Sequence, residues 1–281
     1  MTIKTRNKLN ISLFLLSLFF LIINVFILVF SIYNKAFSLE TYTNQTFSAA
    51  QLAKFTERTN FLTKYNPLVV IISLYYQLIY VCVTSLMLFH VFEKTQATDV
   101  SFFSVFLIAL LANSVRIWLP LFNISSTFSN LLVFCGNLIL FSKLLIPTSL
   151  LFSVVMSDAD QRQDLEKNLF ILILGNLFIA QIIPMNTPVI CPNFEVDYSF
   201  RTVIRITSIL IVLASLVALF FNNRQKYYTQ LTTIGLACIG TGTYILLNSV
   251  NILRLCLSFA FMLAGNILYL KELHKQYLWN D

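Results

Sequence analysis

The sequence predicts an all-α fold: a polytopic transmembrane helical bundle of about eight spans, with both termini on the cytoplasmic side. Three observations predict it. Apolar runs of about 20 residues recur from end to end of the 281-residue chain, each long enough for a hydrocarbon core of about 30 Å. Charged residues make up only 11% of the chain, against about 25% in a soluble domain. The basic residues flank the apolar runs, so the net charge of +7 reads as membrane topology and not as affinity for nucleic acid.

Lys4, Arg6 and Lys8 precede the first run, Ile11–Tyr33. A basic start before an apolar run has the form of a signal peptide. The run is long and no small-residue cleavage site follows it, so it is expected to remain as the first span. Asn34–Asn66 is the one substantial outer loop. In it, Ser48–Gln51 has the form of a capping box, and Leu52, Phe55 and Leu62 fall near helical spacing. The pattern predicts a short surface helix or a structured connector.

Pro67 marks the entry to the second span, about Leu68–Phe92, and a short inner loop follows. The third span is about Ser101–Phe122, and Asn123–Ser129 turns tightly into the fourth, Asn130–Met156. Residues 157–168, SDADQRQDLEKN, are the most charged stretch and form an inner loop. The fifth span is about Leu169–Ile183. Pro184, Pro188 and Pro192 then bracket a segment that does not continue a helix and is expected to be irregular, with room to dip back into the membrane. The sixth span, about Thr202–Phe221, opens beside Arg201 and Arg205, which share a helix face. Leu231–Leu270 would reach roughly 60 Å as one helix. It is therefore split at Asn248–Asn251 into a seventh and an eighth span, and the tail from Lys271 lies inside. The whole chain, 1–281, reads as one integral membrane domain of a plasma or inner membrane.

Lys143 stands near the middle of the fourth span, where a charge costs roughly 2.5–3.5 kcal/mol on insertion scales. No apolar run holds an acid to pair with it. Arg116, Arg205 and Arg254 lie in the outer part of the membrane on three other spans, and Glu195 and Asp197 are the acids nearest that layer. Ionisable groups inside a membrane usually face a bundle interior or a wet cavity. Lys143, Arg116, Arg205 and Arg254 are therefore expected to line an outward-facing pocket for an anion: a lipid phosphate, a phosphorylated sugar carrier or a carboxylate. The alternative is snorkelling to headgroups or pairing with Glu195 and Asp197.

Other polar features have packing explanations. Gly136-Asn137, Gly175-Asn176 and Gly265-Asn266 suggest close helix contacts with Asn bonding across them. Thr233, Ala237 and Thr241, with Gly235, Gly240 and Gly242, give the seventh span a small-residue face and predict a central place for it. GNLILF and GNILYL, in the fourth and eighth spans, are short enough to hint at duplication and no more. His90 and His274 supply too few ligands for a metal, the cysteines lack metal or disulfide spacing, and no cofactor is implied. Asn44 and Asn123 begin glycosylation sequons that matter only in a eukaryotic secretory pathway.

Cys191 is the cysteine placed in an outer, loop-like segment, and Asn251-Ile-Leu-Arg254 follows two spans later. This outline resembles the exosortase and archaeosortase transpeptidases, eight-span proteins with an outer-side Cys and a later Asn-x-x-Arg. The resemblance implies Cys191 as nucleophile and Arg254 as its partner. Two departures are plain: Pro192-Asn193 follows the cysteine in place of a Ser-Gly pair, and His274 falls on the inner side. Three functional classes result. The first is a sensor or complex subunit that binds a membrane lipid or other anion and signals through a protein partner at the inner loops. The others are a membrane transferase and an anion transporter. Proton coupling commonly uses intramembrane carboxylates, which the spans lack.

Overall fold

The computed structural model describes residues 2–33, 62–95, 97–122, 129–156, 165–224 and 230–279. Among the described residues eight helical segments are long and apolar enough to cross a membrane: α1 (Ile3–Tyr33), α2 (Pro67–Phe92), α3 (Thr98–Asn113, which two short helical turns carry on to Leu121 to complete the span), α4 (Ser129–Val155), α5 (Leu165–Ile182), α6 (Arg201–Arg224), α7 (Gln230–Leu247) and α8 (Ile252–Trp279). The protein is a multi-pass integral membrane protein. Eight crossings leave both termini on one face and the segment between α5 and α6 on the other. The surface helix expected after Ser48, the sequons at Asn44 and Asn123, and most of the charged inner loop lie outside the described residues.

The helix ends follow local chemistry. α2 starts where Asn66 accepts the amide N–H of Leu68 at 3.0 Å and Pro67 takes a position that needs no amide donor. α1 starts at Ile3 and not at Ile11, because the basic stretch continues the helix out of the apolar run. Arg6 is buried there and donates to the carbonyls of Phe92 and Thr95, which ties the start of α1 to the α2–α3 turn. α7 stops at Leu247 and α8 begins at Ile252, the break expected between the last two spans. Asn251 accepts the N–H of Arg254 at 3.1 Å and caps α8.

Burial differs sharply between spans of similar composition. About 89% of the α3 window is buried, against 17% for α1 and for α6. Phe102, Phe103 and Phe106 of α3 are fully enclosed. The central helix is thus α3, which corrects the expectation for the seventh span. Two of the three glycines of α7, Gly235 and Gly242, mark close approach to one neighbour, α8. A Cβ at Gly235 would lie 2.7 Å from the backbone nitrogen of Tyr269, and one at Gly242 would lie 2.8 Å from Met262. The packing face is that of Gly235 and Gly242. Thr241 faces the other way and is exposed.

The Asn residues of the Gly-Asn pairs do bond across helices. Asn137 donates to Gln181, Asn176 to Thr148 and Asn266 to Thr84, at 3.0 to 3.2 Å. Gly136 gives the segment after α5 a place to lie, since a Cβ there would touch Met185 at 3.0 Å. Gly175 departs from the pattern, with nothing within 4 Å of its Cβ position.

That segment is not irregular. It is a small antiparallel hairpin of β1 (Met185–Ile190) and β2 (Val196–Tyr198), in which Met185 faces Tyr198 and Ile190 faces Val196. The register is broken between Asn186 and Ile190. Pro188, which has no amide hydrogen to give a ladder, falls in that interval. Backbone pairing satisfies polar groups that a helix interrupted by prolines would leave open.

Candidate functional site

The tip of the hairpin carries the site. At Cys191-Pro192-Asn193-Phe194 the chain reverses: Phe194 donates its N–H to the Cys191 carbonyl at 2.9 Å, and Cys191 donates to the Glu195 carbonyl at 2.7 Å. Phe194 takes a left-handed conformation, φ 57°, that costs a bulky residue roughly 1–2 kcal/mol. Its ring is wholly buried against α2, α4 and the end of α3, which offsets that cost. Tyr65 donates to the Pro192 carbonyl at 3.2 Å and Asn193 donates to the Leu247 carbonyl at 3.2 Å, so the tip is held from both sides.

This turn buries Glu195 completely. Its Oε1 accepts from Arg116 Nη1 at 2.8 Å, and its Oε2 accepts from Lys143 Nζ at 2.6 Å and meets Arg201 Nη2 at 3.4 Å. Lys143 lies 14 residues into α4, roughly 21 Å along a helix of 1.5 Å rise, so the hairpin reaches far down the bundle. Burial by itself would raise the Glu195 carboxyl. Lys143, Arg116 and Arg201 overcome it and hold the group below its ordinary value, ionised.

Arg116 sits where α3 tightens into a 3₁₀ turn, Ser114–Ile117, before a last helical turn at Trp118–Leu121. The turn aims its guanidinium inward, and the residue is only 2% exposed. Besides Glu195 it donates to the Leu247 carbonyl at 3.1 Å, at the C-terminus of α7 where a cation is favoured. Below it, Asn113 joins Gln77 of α2 at 3.1 Å and Ser142 of α4 at 3.3 Å.

Beside this sealed cluster lies a cavity of about 390 Å³ between α4, α6 and α7. Its upper end holds Lys143, Arg201, Arg205, Tyr198, Tyr244 and Asn248. Its lower part is apolar, with Ile146, Ile209, Val212 and Leu216 among the walls. α6 and α7 meet at Gly240, where a Cβ would come within 2.9 Å of Val212. Leu213 and Thr241 are both cavity-lining and exposed, so the cavity opens sideways through the wall of the bundle.

The structure therefore divides the residues singled out by sequence. Arg116 and Lys143 converge on one carboxylate. Lys143 and Arg205 share the cavity. Arg254 joins neither group; its guanidinium donates to the Asn248 carbonyl at 3.1 Å, at the cavity rim. The Asn-x-x-Arg spacing thus has a local account, a helix cap followed by an arginine on the end of α7. The guanidinium beside Cys191 belongs to Arg201, whose Nη1 lies 2.6 Å from Sγ and 3.4 Å from Asp197. Burial pushes the Cys191 thiol up to about 11, with Arg201 acting against it and Glu195 and Asp197 adding to it. Sequence reasoning did not place Tyr198 or Tyr244 in a site, and it offered Glu195 only as an alternative partner for the outer cations and Arg201 only as one of three arginines that could act on Cys191. The signal for Glu195 was its position as an acid beside a basic layer.

These features define an integral membrane protein with eight long apolar helices among the described residues and a charged hairpin folded into the bundle. Compared with known proteins, the chain matches no family model, no curated protein and no solved structure.

Proposed function

We propose that this protein is a membrane sensor or complex subunit that binds an amphiphile with an anionic head, the head at Lys143, Arg201 and Arg205 and the tail along the lower walls of the cavity. One observation carries the reading: a single cavity has cations at one end, hydrocarbon at the other and an opening in the bundle wall. A soluble anion has no use for the apolar part, and a neutral lipid has none for the cations. A volume of about 390 Å³ falls among ligand pockets, typically 300–1,000 Å³. Arg116, sealed against Glu195, supports the site from behind and does not meet the ligand in this reading. Native mass spectrometry of the purified protein tests it. Retained anionic lipid that is lost in Ser208→Trp, which fills the cavity, supports the reading; retention unchanged in that variant overturns it.

The contact of Arg201 with Cys191 favours a second reading, a membrane transferase with Cys191 as nucleophile. A guanidinium beside a thiol stabilises its thiolate. With the thiol pushed up to about 11, it is protonated at pH 7.5, so a nucleophile would need a rearranged hairpin. A membrane-impermeant maleimide should label Cys191 slowly at pH 7.5 and faster towards pH 11. Fast labelling at pH 7.5 would promote the enzyme; absence of labelling while a candidate substrate turns over would remove it.

A further inference from the structure

The balance of charge around the cavity says more about the head than its sign. Lys143, Arg201 and Arg205 line the cavity, and Arg116 stands directly behind them. The carboxylates among them are Glu195, which binds Arg116, Lys143 and Arg201, and Asp197, which meets Arg201. Two carboxylates against these four cations leave two positive charges over, with Arg254 held apart on the Asn248 carbonyl at the rim. The surplus is localised. Among the described residues Arg205 makes no hydrogen bond or ion pair, its polar neighbour being the Tyr198 phenol, yet it lines the cavity one turn from Arg201 on the same face of α6. Arg201 is 32% exposed, so part of its guanidinium remains open to the cavity. Both arginines belong to the first two turns of α6, where the helix dipole favours an anion. Tyr244 on the facing helix lines the same cavity and can supply a neutral hydroxyl donor.

A carboxylate or a phosphodiester brings one negative charge and leaves a cation unmatched beside hydrocarbon. A phosphate monoester brings about −1.5 to −2 at pH 7 and three acceptor oxygens, enough for two guanidiniums and a phenol. We infer that the head bound in this cavity is a terminal phosphate, dianionic at neutral pH, held by Arg201, Arg205 and Tyr244 with Lys143 beneath. The inference rests on the binding reading above and names its ligand class: an alkyl or isoprenoid chain ending in phosphate, or, if the apolar walls contribute nothing, free phosphate itself.

The experiment is binding to the purified full chain in a zwitterionic detergent-free nanodisc, read by competition and native mass spectrometry. The probes are dodecyl phosphate, dodecanoate, phosphatidylglycerol and inorganic phosphate, each at pH 7.5 and pH 5. Dodecyl phosphate should bind at least tenfold tighter than dodecanoate or phosphatidylglycerol at pH 7.5. That margin should shrink at pH 5, because the monoester takes up a proton near pH 6. Arg205→Gln should weaken dodecyl phosphate about tenfold and phosphatidylglycerol, which brings half the charge, by clearly less; the exposed side chain, which makes no hydrogen bond or ion pair among the described residues, makes a folding defect avoidable. Inorganic phosphate binding as tightly as dodecyl phosphate would keep the dianion and assign its source to water. Equal binding of all three amphiphiles would overturn the phosphate inference while the anion-binding reading stood. Binding of none of the probes would overturn both.

Discussion

Two neighbouring clusters of positive charge behave in opposite ways. Under the hairpin, Arg116 and Lys143 are both neutralised by Glu195, with Arg116 and the carboxylate buried and Lys143 at the boundary with the cavity. In the adjoining cavity, Arg205 is exposed and makes no hydrogen bond or ion pair among the described residues. The same side-chain chemistry is structural in one place and available in the other. What separates them is a carboxylate delivered by a β-turn. The turn reaches only as far as Lys143 and Arg201, so the charge beyond it stays unmatched. Arg201 belongs to both clusters, touching Glu195 and Asp197 while lining the cavity.

The largest expected effect comes from breaking the sealed side. Glu195→Gln would leave Arg116 and Lys143 buried without a counter-charge, and removing one partner of such a group costs about 3–5 kcal/mol. Thermal unfolding of the purified variant should show the loss, and an unchanged midpoint would mean that water already enters this space. The pH dependence has a definite sign. The Glu195 carboxyl is held low in the folded chain despite burial, by Lys143, Arg116 and Arg201. Its contribution is therefore complete above about 4.3, the ordinary Glu value, and is lost as pH falls through the lower folded value. Wild type should lose stability across that acidic window, and Glu195→Gln should not.

An intermediate effect is expected where the cavity wall is anchored. α7 forms one side of the cavity and is fixed from behind by α8, with Gly235 against the Tyr269 backbone. Gly235→Ala would press a methyl group to 2.7 Å from a main-chain nitrogen that cannot rotate away. Overpacking of this kind costs about 1–3 kcal/mol. Gly175→Ala is the control: with nothing within 4 Å, it should be neutral or gain up to about 1 kcal/mol of helix propensity. If the two substitutions cost the same, α7 is not fixed in the way described, and the cavity's width is not set by this contact.

Legibility in the sequence followed the range of the forces involved. Each span announces itself, because about 20 apolar residues are a property of the span alone. The α7–α8 break was legible from length, and the entry to α2 from Pro67. Depth in the bundle was not. α3 and α6 are both apolar, yet one is buried and the other faces lipid, and in a membrane both surroundings select the same residues. The cations were legible singly, since a buried charge is expensive anywhere. Their partition was not, because it depends on where Glu195 lands. That is decided by a turn at Phe194 with an uncommon backbone angle and by a 3₁₀ tightening at Arg116, neither of which composition or periodicity encodes. Arg254 drew attention through a four-residue pattern that turned out to cap a helix.

The smallest expected effect on stability is also the sharpest probe of the contrast. Arg205→Gln removes a cation that none of the described residues holds, and exposed substitutions away from such partners usually stay within about 0.5 kcal/mol. Its thermal midpoint should match wild type in a zwitterionic environment. Removing the surplus positive charge can even help slightly, since Arg201 and Lys143 then face one fewer like charge. The difference should appear only when anionic amphiphile is added: wild type should be stabilised, since a ligand that binds the folded state alone raises the midpoint by mass action, and the variant much less. Equal stabilisation of both proteins would mean that the amphiphile binds elsewhere on the bundle. A large loss without ligand would mean that Arg205 has a structural role like that of Arg116, and the division between a sealed and an open cluster would fail.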